Sequence, residues 1–138
     1  MGTHCLKSWS ATQRSVTLSS GEAELVAAVR TSTETIGLSQ LYHDWGVTLE
    51  GNIMVDSSAA ISVAERQGCG KLRHIKVGML WIQEKVEEEE LKVQKIAGAA
   101  NPADLMTKYL HLTLMETHMA KLGQQWREGR ADAGLQAN

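Results

Sequence analysis

The chain has 138 residues, enough for one domain with a proper core, and its 43% hydrophobic and 22% charged residues are ordinary values for a soluble globular protein. With 14 Lys+Arg against 16 Asp+Glu the formal net charge is −2, which excludes a strongly basic nucleic-acid binder as a description of the whole chain but leaves room for a local basic patch. There is no Phe and no run near the ~18–20 apolar residues of a membrane span, and Cys5 and Cys69 lack metal-type spacing, which suits reduced thiols in a cytoplasmic or nuclear protein rather than a secreted one.

In chain order, residues 4–9 are short, apolar-rich and partly alternating, and they predict a strand. The polar, threonine-rich residues 11–18 suit a connection. A helix is predicted from Ser19 to about Trp45, stopping at Gly46. Ser19 and Glu22 have the spacing of a capping box, in which the serine accepts from an early amide and the glutamate reaches back to the cap. Leu25, Val29, Ser32 and Ile36 make one stripe at helical spacing, with Gly37 a point where the helix can bend.

Residues 52–56 form an apolar run without polar alternation, which predicts a central strand covered on both faces. A helix over 57–67 follows, stopped by Gly68-Cys69-Gly70, and then a compact basic segment at 71–76. Ile75, Met79, Ile82 and Val86 set a helix over about 75–87, and the four glutamates at 87–90 read as a solvated turn. Residues 91–97 predict another strand, Gly98 closes it, and Asn101-Pro102 opens a last helix over about 102–122. The expected organisation is one domain over 1–122 and a polar, Ala/Gly-rich tail over 123–138. Strands alternating with helices indicate an α/β domain.

Three acidic residues stand in well-formed contexts. Asp56 ends a buried strand at its carboxyl edge, where open α/β sheets place ligands, yet an Asp before Ser57 and Ser58 is equally suited to cap a helix. Asp104 falls in the first turn after Asn101-Pro102, where the helix dipole favours negative charge whatever the function. Glu22 has its explanation in the capping box; Glu24 has none and borders the apolar stripe, which makes it the better catalytic candidate. Carboxylates from separate elements are what a pair of Mg²⁺ ions about 3.5–4 Å apart requires for phosphodiester hydrolysis. Lys71, Arg73, His74 and Lys76 are candidate phosphate contacts, set against the reading of an ordinary solvated loop. His111 and His118 lack a third metal ligand, and Trp9, Trp45 and Trp81 read as core or helix-end packing.

Four blocks then stand in one order: Thr17-Leu-Ser-Ser-Gly-Glu-Ala-Glu24-Leu, Val55-Asp56-Ser-Ser-Ala-Ala-Ile61, Arg73-His74-Ile75 and Asn101-Pro-Ala-Asp104-Leu-Met-Thr-Lys108, with Lys7-Ser-Trp9-Ser ahead of them. On these blocks residues 4–110 resemble the C-terminal ribonuclease H domain of a copia-type LTR retrotransposon Pol polyprotein. The resemblance implies a ribonuclease H-like α/β fold with a mixed sheet, in which residues 4–9, 53–56 and 91–97 are the third, fourth and fifth strands. It implies Mg²⁺-dependent hydrolysis of the RNA strand of an RNA–DNA hybrid during reverse transcription, with Glu24, Asp56 and Asp104 as catalytic metal ligands. The partners it implies are the hybrid and the upstream reverse transcriptase region of the same polyprotein. The alternative is a ribonuclease H-like remnant that binds nucleic acid or protein without cutting.

The chain departs from the pattern in two places. The family's first two strands, the first with a catalytic Asp, should precede His4, and no Asp occurs before Asp44, so weak or absent activity is expected for the chain by itself. Lys76 stands where the family usually has Asp after His-Ile, which makes that segment more basic.

Overall fold

A computed structural model describes residues 5–13, 16–68, 70 and 77–126. Two compact units emerge, one of Ala11–Asn101 and one of Met1–Ser10 with Pro102–Asn138. The basic segment 71–76 and the tail beyond Trp126 lie outside the described residues.

In the larger unit, helix α1 (Ser20–Asp44) begins where the capping box places it. Ser19 has extended backbone and its Oγ accepts from the Glu22 amide at 3.2 Å. The Glu22 carboxylate reaches one residue further back than a simple box requires and accepts from the Leu18 amide at 2.7 Å. The buried stripe is Leu25, Ala28 and Ser32, with Val29 and Ile36 half-buried beside it. The helix ends at Gly46, whose positive φ of 78° lets its amide turn back to the His43 carbonyl at 2.8 Å. Trp45 closes the helix 68% exposed, its ring edge-on to Tyr42 at 5.6 Å between centroids.

Strands β1 (Gly51–Val55) and β2 (Leu91–Lys95) pair in parallel, from Gly51 opposite Leu91 to Val55 opposite Lys95. The expectation of a strand covered on both faces is corrected: Gly51, Ile53 and Val55 are buried, whereas Asn52 and Met54 are exposed. Across the register Lys92 and Gln94 are exposed as well, so the outer face of the pair carries no layer among the described residues. Helices α1, α2 (Ser58–Ala64) and α3 (Trp81–Glu87) pack on the inner face. The core they enclose is Leu25, Ala28, Ile53, Val55, Ala60, Val63, Ala64, Ile82 and Leu91. Gly51 is a glycine for steric reasons, since a Cβ there would lie 2.8 Å from Leu91 Cδ2 and 3.1 Å from the Glu90 carbonyl oxygen.

Helix α2 is shorter than the 57–67 the sequence suggests. Its end is closed from outside by Gln83, whose side-chain amide donates to the Val63 carbonyl at 2.7 Å and exchanges hydrogen bonds with the backbone of Gly68. Ahead of α3, Val77–Met79 form a separate 3-10 turn rather than the same helix. After α3, Lys85 holds Glu88 at 2.5 Å and Glu90 at 3.2 Å, and Glu89 takes the left-handed backbone (φ 59°) that turns the chain into β2.

In the smaller unit two expectations are corrected. Residues 5–9 are not a strand: alternation alone forms none without a ladder partner, and the described sheet holds only β1 and β2. The mixed sheet expected with a third strand at 4–9 is therefore a parallel pair among the described residues. The last helix is also two pieces, a 3-10 turn at Pro102–Met106 and helix α4 (Leu112–Lys121). Tyr109, 98% exposed, lies between them, where the sequence offers no buried apolar side chain to hold a continuous helix. Helix α4 packs on the 3-10 turn and buries His118 completely, with neither ring nitrogen hydrogen-bonded among the described residues. No helix among the described residues is long and apolar enough to cross a membrane.

Candidate active site

Asp56 follows directly on β1, at the carboxyl end of the parallel pair. The capping role that its sequence context allowed belongs to its neighbour: the Ser57 Oγ accepts from the Ala60 amide at 3.2 Å and starts α2. The Asp56 carboxylate is half-buried and has no hydrogen-bond or ion-pair partner among the described residues. Its main-chain carbonyl is held instead, by Lys95 Nζ, which also donates to Ser58 Oγ at 2.8 Å. The ladder runs one step past β2, with the Ile96 amide on the Val55 carbonyl at 3.0 Å. Gly98 then brings the chain beside the carboxylate, so that a Cβ there would lie 3.8 Å from Asp56 Oδ2.

Glu24 is exposed in the second turn of α1, and Glu22 is buried at the helix start with the Leu18 amide on its carboxylate. Just ahead of both, Gly21 meets α2: a Cβ on Gly21 would stand 3.0 Å from Ala59 Cβ and 3.9 Å from Ser57 Oγ. The close approach requires both small residues and sets the first turn of α1 against the first turn of α2. The elements carrying Glu24 and Asp56 are thereby brought side by side.

Asp104 belongs to the smaller unit, in its 3-10 turn. Its Oδ1 pairs with Lys108 Nζ at 2.8 Å, the Asp side chain 13% exposed and the Lys 57%. Its main-chain carbonyl accepts from the amides of Thr107 and Lys108 at 3.2 and 3.1 Å. Lys71, Arg73, His74 and Lys76 lie outside the described residues. Lys95, the last residue of its strand, carries no sequence signal beyond its charge; only the turn it grips marks it.

Hard carboxylate oxygens are the donors that suit Mg²⁺. Among the described residues, however, no three His, Cys, Asp or Glu side chains form a group able to hold a metal ion, so those residues do not by themselves fit a two-ion centre. On the surface of the larger unit, hydrogen bonding and charge attraction to Lys92 lower the Glu50 carboxyl, and Glu50 in turn raises the Lys92 ammonium.

Comparison with known proteins supplies kinship. The chain is 39% identical over 104 residues, 73% of its length, to the retrovirus-related Pol polyprotein from transposon TNT 1-94 of Nicotiana tabacum. It is related to a retrotransposon Pol polyprotein. The matched stretch is 8% of that polyprotein, so the chain corresponds to a small part of its relative. No family profile matches the chain, and no solved structure does.

Proposed function

We propose that this Pol-related chain is ribonuclease H-like and contributes Glu24, Asp56 and Asp104 to hydrolysis of the RNA strand of an RNA–DNA hybrid during reverse transcription. The observation that supports it most is Asp56: a half-buried carboxylate whose side chain has no partner among the described residues, at the carboxyl edge of a parallel strand pair, beside the start of the helix that carries Glu24. The alternation of helix and strand and the order of the motif blocks agree with that reading. Mg²⁺ is the ion such carboxylates would take.

The test is cleavage of a labelled RNA–DNA hybrid in Mg²⁺ by this chain alone and joined to the reverse transcriptase region of a related Pol polyprotein. The joined form is expected to cut the RNA strand, and Asp56→Asn, Glu24→Gln and Asp104→Asn each to lower the rate about a hundredfold or more, the usual scale for losing a charge-stabilising group. Cleavage indifferent to Asp56→Asn would overturn the assignment. One second reading stands beside it, a non-catalytic remnant. Hybrid binding without cleavage by the joined form would establish it.

A further inference from the structure

We infer that Lys95 is a positioning residue for Asp56, an inference that rests on the reading of Asp56 as a reacting carboxylate. Lys95 is the last ladder residue of β2, directly opposite Val55. From there its side chain passes over the strand end and grips the turn that follows β1 at two points, the Asp56 carbonyl oxygen and Ser58 Oγ. That turn is where the backbone leaves the sheet before α2 takes it up. The Val55 carbonyl is still in the ladder, bonded by the Ile96 amide, and the Ser57 carbonyl is already in the helix, bonded by the Ile61 amide at 3.1 Å. The Asp56 carbonyl between them belongs to neither element, and the Lys95 ammonium supplies its donor.

The consequence is specific. The peptide unit joining Asp56 to Ser57 is fixed, and with it the direction in which the Asp56 side chain leaves the backbone. The carboxylate itself is untouched, because Lys95 bonds the main chain and forms no ion pair with the acid. A cation placed on the carboxylate would compete for the lone pairs that the acid needs for chemistry. A cation placed on the carbonyl orders the acid and leaves its charge uncommitted. Ser58 Oγ, as the second acceptor, holds the ammonium over the turn.

The experiment uses the full chain and the variants Lys95→Met, Lys95→Arg and Asp56→Asn. Amide hydrogen exchange is followed residue by residue by NMR, beside urea unfolding. Loss of charge-assisted bonds that hold one turn is expected to speed exchange at the amides of residues 57–60 about tenfold in Lys95→Met, with the unfolding midpoint nearly unchanged. Lys95→Arg, which keeps a cationic donor of similar reach, restores most of the protection, and Asp56→Asn leaves it as it was. Unchanged exchange at these amides in Lys95→Met overturns the inference. So does equal acceleration throughout Ala11–Asn101, which marks a merely structural residue. In the joined, cutting form Lys95→Met is expected to lower kcat with KM unchanged. Should Asp56→Asn cut like wild type there while Lys95→Met still loosens the turn, it is the nuclease reading that fails, and Lys95 remains a brace without a catalytic role.

Discussion

At residue scale the informative contrast is between two neighbours, Asp56 and Ser57. Either type caps a helix, and nothing in the local sequence ranks them. In the folded chain Ser57 makes the cap and the Asp56 side chain has no partner among the described residues. Ser57→Ala is therefore expected to lower stability by about 1 kcal/mol. Asp56→Asn should change it by less than about 0.5 kcal/mol, as for a surface group with no named interaction. Urea unfolding of both variants checks the pair, and a larger loss in the Asp56 variant would mean that its carboxylate does have structural work. Gly21 is the second informative residue. A Cβ there stands 3.0 Å from Ala59 Cβ, so Gly21→Val has to push two helices apart and is expected to cost about 1–3 kcal/mol. The Ser-Ser-Gly-Glu block thus has a packing reason for its glycine, in addition to the capping reason for its serine and first glutamate.

Among the elements, α1 shows how far local rules carry. Its start, its stop and its buried stripe were legible, because a capping box, a glycine in left-handed conformation and a helical period are all local signals. Its interior is less well suited to a helix. Thr31, Ser32, Thr33 and Thr35 each turn a hydroxyl back to the carbonyl four residues earlier, at 2.8–3.1 Å, in a stretch of low helix propensity that ends in Gly37. A Cβ on Gly37 would meet nothing within 4 Å, so Gly37→Ala is expected to raise stability by about 0.5–1 kcal/mol, read from the urea midpoint. The expected strand at residues 4–9 and the continuous helix over 102–122 failed for a shared reason. Alternation and periodicity describe what an element would bury, and an element persists only where something is present to bury it against.

For the molecule as a whole, the described residues form two units, and Asp104 lies in a different one from Glu24 and Asp56. The smaller unit contains a plain test of its own packing. His118 is fully buried with neither ring nitrogen hydrogen-bonded among the described residues, an arrangement that costs roughly 1–3 kcal/mol relative to a satisfied or apolar side chain. His118→Leu is expected to raise the melting temperature by several degrees, and a fall would show that the ring has a polar role. Among the described residues the larger unit covers its parallel pair on one face only and leaves Asn52, Met54, Lys92 and Gln94 outward. The apolar run at 52–56 did not foretell this, since an uninterrupted run is written alike whether one face is covered or two. By itself the sequence determined the boundaries of α1, set by a cap and a glycine, the two strands, the α/β character and the kinship with a Pol polyprotein, because each is encoded in contiguous residues. Only the tertiary structure decided which of two adjacent side chains caps α2, why Gly21 must lack a Cβ, and that Lys95 holds the Asp56 turn. The last two are contacts between residues 37 to 39 positions apart in the chain, and no local pattern records them.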